Sequence, residues 1–191
     1  MENPYEFLLS LGLGVALASA CGFRVFLPAL VVAIAHRSGH VEIPEHFYWI
    51  SSNVSIFCLA TAATLEILAY FVPILDNLLD TIATPAAAVA GSVMTFGVLS
   101  DISPWLHWTL AIIAGGGTST IVQSSTVALR ASSSALTAGT ANPIIAAGET
   151  LGAILMTLLS IILLPLGIVI AIILLVIGIR SLIRYILPKV T

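Results

Sequence analysis

The chain is built of long apolar runs separated by short polar breaks. The first run extends from about Phe7 to Ala35, and a polar loop, His36 to Ser52, follows. A second run covers about Asn53 to Val72, after which Pro73, Asp76, Asn77 and Asp80 mark a short turn. A third covers about Thr84 to Leu99 and is broken by Asp101, Ser103 and Pro104. A fourth begins at Trp105 and becomes small and hydroxylated from Gly115 onward. A helix crossing about 30 Å of hydrocarbon needs about 20 apolar residues, so these runs read as membrane spans. The last stretch, Thr150 to Leu187, has 38 residues. As one helix it would be about 57 Å long, nearly two bilayers, so Pro165 and Gly167 divide it into two helices. The pattern predicts an all-α polytopic membrane bundle of about six spans, with five or seven as the alternatives.

Composition removes the competing classes. Of 191 residues, 59% are apolar and 8% charged, against about 25% charged in a soluble domain. Mean hydropathy is +1.15. Such a chain cannot clothe a water-facing surface in polar groups. A soluble enzyme, a disordered chain and a nucleic-acid binder are excluded. Residues 1–191 read as a single transmembrane domain. The N-terminus carries Glu2 and Glu6 and no Lys or Arg, so the first run is expected to be retained and not cleaved. Cys21 and Cys58 lie in apolar segments and read as small hydrophobes. Arg180, Arg184 and Lys189 crowd the C-terminal end and assign it to the cytoplasm. An even span count then places the N-terminus on that same side and Arg37 outside. The expected location is a bacterial inner (plasma) membrane.

Four ionisable residues sit where lipid-facing ones should not, and such residues are functional candidates by default. They are Arg24, Glu66, Arg130 and Glu149. They either pair within the bundle to fix helix register or line a solute path. Pro28 removes the helix bond to the residue 24 carbonyl, and Gly22 permits unwinding or close approach. Arg24 is therefore expected at a helix break.

The segment from Ile113 to Asn142 is the most unusual. It holds Gly115, Gly116 and Gly117, a hydroxyl-rich run including Gln123, Ser124, Ser125 and Thr126, and one charge, Arg130. Hydroxyls, an amide and three glycines suit an unwound or re-entrant stretch whose polar atoms replace a hydration shell. The alternative is a tightly packed helix pair, since small residues let helices approach. Gln123-Ser124-Ser125-Thr126 resembles the QSSS signature of type II sodium–phosphate cotransporters, in which paired broken helices hold sodium and phosphate. Only this stretch matches, its fourth residue is Thr, and no second copy is present.

Two segments echo one another. Thr84-Pro85 and Asn142-Pro143 each set a cap-type residue before a Pro, with Gly91 or Gly148 a short way on. This suggests units 7–101 and 104–187 of about three helices each, the second inverted, as in transporters with a site at mid-membrane. Half-helix N-termini at Thr84 and Asn142, with Arg24 and Arg130 nearby, would favour an anion.

The opening Leu11-Gly12-Leu13-Gly14 through Cys21-Gly22-Phe23-Arg24 to Leu27-Pro28 resembles that of the bacterial and plant membrane family catalogued as domain of unknown function 4126. That family's Gly-x-Arg-x-x-x-Pro pattern is matched by Gly22, Arg24 and Pro28. Its Glu in the second span and Pro-x-x-Asp turn look like Glu66, Pro73 and Asp76. Its later positions correspond to Pro85 and Gly91, Gly115 and Gly116, Arg130, Asn142 and Glu149. The family usually carries His and Lys shortly before the Arg, where this chain has Gln123 and Ser124. The resemblance implies an integral membrane protein and supplies no activity.

The remaining constellations carry less. His36, His40, Glu42, Glu45 and His46 could gather a divalent metal, but Pro44 interrupts them and a solvated loop is the expectation. His107, between Trp105 and Trp108, reads as an interfacial anchor. No catalytic signature and no nucleotide loop is present, so no enzyme, metal or cofactor is expected. The reading is a small secondary transporter or channel for an ion or polar solute, with an anion the first choice. Arg24, Arg130, Gln123, Ser124, Ser125 and Thr126 bind the solute. Glu66 and Glu149 pair the arginines or carry a coupling proton. Gly22, Pro28, Pro85, Gly115, Gly116, Gly117, Asn142 and Pro143 break helices. The partners are membrane lipids, the solute and further copies of the chain. A membrane scaffold or an intramembrane lipid-modifying enzyme is the alternative.

Overall fold

A computed structural model describes residues 3–99 and 102–186. Glu2, Asp101 and Lys189 lie outside the described residues, as do the side chains of Asp76 and Asn77. Among the described residues the chain is helical throughout, with no strand. Helix α1 spans Pro4–Cys21 and α2 Leu27–Arg37. A short 3-10 helix, Glu45–Ser51, leads into α3, Asn53–Ala69. Then come α4, Pro73–Val98, and α5, Pro104–Leu110. A π-helical turn, Ala111–Gly116, joins α5 without a break to α6, Gly117–Thr137. Helices α7, Asn142–Ile162, and α8, Leu164–Ile186, complete the bundle.

Local chemistry sets these boundaries. Asn3 accepts the Tyr5 N–H at 3.2 Å to start α1, and Ser52 accepts the Ser55 N–H at 3.1 Å to start α3. Proline, whose missing N–H is harmless in the first turn, opens α1, α2, α4, α5 and α7. Helix α6 ends where Ala138 and Gly139 turn left-handed, at φ 52° and 82°.

Four helices are long and apolar enough to cross a membrane, or five if the 3-10 helix and α3, bent by 59°, count as one. The first apolar run is two helices, not one. Helix α1 packs parallel to α8, with Gly12 against Ile168 and Ala16 and Ala20 against Ala171. Helix α2 then turns back, and its end meets the start of α3, where Arg37 donates to Asn53. Helix α8 also runs parallel to α6, Gly178 lying against Ile121 and Ser125. The start of α1 and the end of α8 are thus at opposite ends of the bundle, the arrangement that the odd-numbered alternatives of five or seven spans would give. The division of the last apolar stretch falls at Leu163, beside Pro165.

Three expected breaks are absent. The Pro73–Asp80 segment is the opening of α4, not a turn. Pro85 lies inside α4, which continues past it; membrane helices tolerate this where neighbours satisfy the freed backbone groups. Thr84-Pro85 is therefore mid-helix while Asn142-Pro143 opens α7, so the two echoing segments occupy different structural places. Gly115, Gly116 and Gly117 are helical, not unwound.

Close packing is what the glycines provide. A Cβ on Gly115 would lie 2.4 Å from the Gly91 carbonyl oxygen, and one on Gly91 would lie 2.7 Å from that of Gly115. Gly14 sits equally close to Thr95, whose hydroxyl donates to the Gly14 carbonyl at 3.1 Å. This is the small-residue contact that drives association where lipid removes the hydrophobic advantage. Gly117, in contrast, has nothing within 4 Å of where its Cβ would be. Gly91→Ala and Gly115→Ala are each expected to lose about 1–3 kcal/mol of stability by overpacking. Gly117→Ala should gain up to about 1 kcal/mol of helix propensity. Unfolding of the detergent-solubilised variants, followed by circular dichroism, measures the contrast.

Candidate functional site

The bundle is polar at one level. Glu149 is seven residues from the start of α7, Arg130 seven from the end of α6, and Asp80 seven from the start of α4. At 1.5 Å per residue each lies about 10 Å from its helix end, on the side of the α3–α4 and α6–α7 connections. Arg24 joins them from the break between α1 and α2, and Glu66 and Tyr70 from the end of α3. Arg24, Arg130 and Tyr70 are each no more than 2% exposed.

Glu149 is the hub. Its Oε2 lies 3.2 Å from Nη1 of Arg24 and 3.1 Å from Nη1 of Arg130. Arg130 also pairs with Asp80 through Nη2. The two guanidinium carbons each lie 4.2 Å from the centroid of the Tyr70 ring, close enough for the ring quadrupole to stabilise both cations. Arg24 is held further by protein oxygens: its Nε donates to Thr150 Oγ1 at 3.0 Å and its Nη2 to the Ala146 carbonyl at 2.7 Å. Its Nη1 reaches the Phe23 carbonyl at 3.4 Å.

Glu66 does not pair an arginine directly. It accepts the Val25 N–H at 2.8 Å and the Phe26 N–H at 3.2 Å. It thus caps the start of α2 from a neighbouring helix, where the helix dipole is positive. Gly22 ends α1 with its Cβ position against Val122 and the Ser119 carbonyl of α6. Pro28 is in the first turn of α2. The break at Arg24 is built from this close approach, a carboxylate cap and a proline start.

The family model described as a domain of unknown function, DUF4126, matches residues 11–184. The chain belongs to the DUF4126 family. No curated protein and no solved structure matches it. The matched span of this DUF4126 chain encloses every member of the charged cluster.

The Gln123–Thr126 run does not converge on one point. It lies on a continuous helix, so successive side chains fan around the axis by about 100° each. Ser125 faces α8 and donates to the Ile121 carbonyl at 2.7 Å. Thr126 donates to the Gln123 carbonyl at 2.9 Å, and Ser124 is half-buried. Gln123 and Thr126 do share the buried stripe of α6 with Ser119, Arg130 and Ser133. Gln123 is 1% exposed, and its Nε2 has no hydrogen-bond partner among the described residues. Asn142 is also buried, and its Nδ2 donates to Ser134 at 2.9 Å, bracing the turn into α7.

Asp80, Tyr70 and Thr150 escape a reading of the sequence. Asp80 sits in a polar run that imitates a turn. Tyr70 carries one usable signal, its place four residues after Glu66 on the same helix face. His107 points inward and is not an anchor: it stacks on Phe96 at 4.2 Å and its Nε2 lies 2.9 Å from the Phe96 carbonyl. Trp105 and Trp108 remain exposed. His36 meets Ser51, His40 meets Ser38, and His46 approaches the Phe96 carbonyl, so the loop histidines point to separate partners.

Removing one partner of a buried ion pair strands the other charge, at about 3–5 kcal/mol. Glu149→Gln is expected to lose stability in that range. Arg24→Met added to it should cost much less than the sum of the two single changes, with a coupling of about 0.5–3 kcal/mol. Unfolding in mixed detergent–dodecyl sulfate micelles gives the cycle; additive effects would mean that the two residues do not interact.

Proposed function

We propose that this protein is a small secondary transporter or channel for an ion or polar solute, with the Glu149 hub as its working part. The observation that carries the reading is a single buried carboxylate oxygen shared by two arginines, one of them at a helix break. Protonation of Glu149, or a competing cation, removes the one carboxylate that both guanidiniums share, leaving Arg130 on Asp80 and Arg24 on Thr150 and the Ala146 carbonyl. That is a two-state element of the kind that alternating access needs. The hub sits beside an interrupted helix, and backbone broken at membrane depth must line a cavity or be covered by protein.

The charge balance turns the preference from an anion to a proton or a small cation. Three carboxylates, Glu66, Asp80 and Glu149, face two arginines, and the Arg24 donors are already directed at protein oxygens. Gln123, with its buried amide, is the group on the α6 stripe suited to a polar solute. In this reading α3, α4, the continuous α5–α6 unit, α7 and α8 make five crossings, and α1, although itself long and apolar enough to cross, pairs with α2 as a re-entrant unit. The basic end of α8 then lies in the cytoplasm of a bacterial plasma membrane, with the chain start on the other side. The protein acts without a catalytic group, metal or cofactor, among lipids and further copies of itself.

Reconstitution into sealed liposomes on a solid-supported membrane tests this. Jumps in pH or in small cations are expected to evoke a current that Glu149→Gln and Asp80→Asn reduce at least tenfold, in variants that elute as folded protein. Currents that survive both substitutions would remove the hub from the pathway. A current evoked by anions at fixed pH and lost in Arg24→Gln would restore the anion reading. Silence and absence of solute uptake from folded protein, across the whole panel, would leave the cluster a structural brace in a scaffold.

A further inference from the structure

At the end of the bundle remote from the chain start, α6 and α8 leave a crevice of about 310 Å³ between them. Ala128, Leu129 and Ser132 line it from α6, and Ser181 and Arg184 from α8. Arg180 stands one turn before Arg184 on the same helix face. Both arginines are exposed, and neither has an ion-pair partner among the described residues. No described carboxylate is positioned to serve them. Glu66, Asp80 and Glu149 are engaged in the buried cluster, and Glu6, Glu42 and Glu45 belong to the opposite end.

The surroundings are apolar. Leu129, Ile173, Val176, Ile177, Ile179 and Ile183 are exposed large hydrophobics, a surface made for acyl chains and not for water. Two unpaired guanidiniums with hydroxyls beside them, at the margin of such a surface, lack one component, a phosphate at headgroup depth. Guanidinium matches phosphate geometry with paired N–H donors, and basic crevices between membrane helices bind anionic headgroups.

We propose that the α6–α8 crevice is a binding site for an anionic phospholipid. Arg184 and Arg180 hold the headgroup phosphate, Ser132 and Ser181 flank it, and the acyl chains lie along Leu129 and Ile177. Because Gly178 seats α8 against Ile121 and Ser125 one turn deeper, the occupied crevice clamps the exposed last helix to the polar helix α6. The site is separate from the charged cluster and does not rest on the transport reading.

The test is native mass spectrometry of the purified full chain, released from micelles containing phosphatidylglycerol or phosphatidylcholine. The expected result is retention of phosphatidylglycerol at least fivefold above phosphatidylcholine, and an at least fivefold fall in the R180Q/R184Q double variant. Both arginines are exposed, so the double variant is expected to elute as folded protein. Arg37→Gln, at the opposite end, keeps the wild-type retention and controls for loss of an exposed arginine elsewhere. Equal retention by the wild type and the double variant would overturn the proposal. So would equal loss in Arg37→Gln. Displacement of the lipid by millimolar inorganic phosphate would make this a free-anion site and overturn the lipid assignment.

Discussion

The constraint that the rest of this fold answers to is the cost of holding ions away from water. Two guanidiniums and three carboxylates at one level of an apolar bundle can remain only if each finds its opposite or a set of donors. Glu149 does this for two arginines at once, Asp80 takes the second side of Arg130, and Tyr70 offers its ring to both. Four helices and one break must therefore keep register with one another. A shift by one turn in any of them would move a charge by about 5 Å and leave its partner exposed to hydrocarbon.

The glycines make that register attainable. Helix α4 and the π turn approach until their backbones touch at Gly91 and Gly115, and α1 closes on α4 at Gly14 and Thr95. Long side chains at those places would hold the helices apart and pull Asp80 away from Arg130. Small residues and charges thus cooperate: the first bring backbones together without a hydrophobic drive, and the second select one alignment among those that close packing permits.

Much of this is legible in the residue order, for reasons that differ by element. Helicity and membrane character follow from apolar runs and scarcity of charge. Arg24, Arg130 and Glu149 stand out because nothing in lipid would tolerate them alone. The reversal after α1 is legible only in part. Gly22 and Pro28 mark a break but say nothing of the direction in which the chain continues, which depends on Glu66 capping α2 from another helix. Asp80 is hidden because its neighbours Asp76 and Asn77 make a turn-like run, and Pro85 misleads because a proline inside a packed helix looks like a proline that starts one. The glycine run reads equally well as unwound backbone or as a contact surface, and only the position of α4 decides between them.

Helix α6 is the most polar helix of the bundle and one of its most enclosed, with Ser119, Gln123, Thr126 and Arg130 all turned inward. Its biogenesis is constrained accordingly. An Arg costs about 2.5–3.5 kcal/mol at the centre of an inserting segment and less towards its end, and α6 has few leucines to offset Arg130. Such a segment cannot partition into lipid by itself. Asp80 precedes α6 in the chain, and Glu149 follows only 19 residues after Arg130. Helix α6 thus depends on the carboxylates of α4 before it and α7 behind it to neutralise its charge, and the ion pairs that define the site are also what makes so polar a helix tolerable in an apolar bundle.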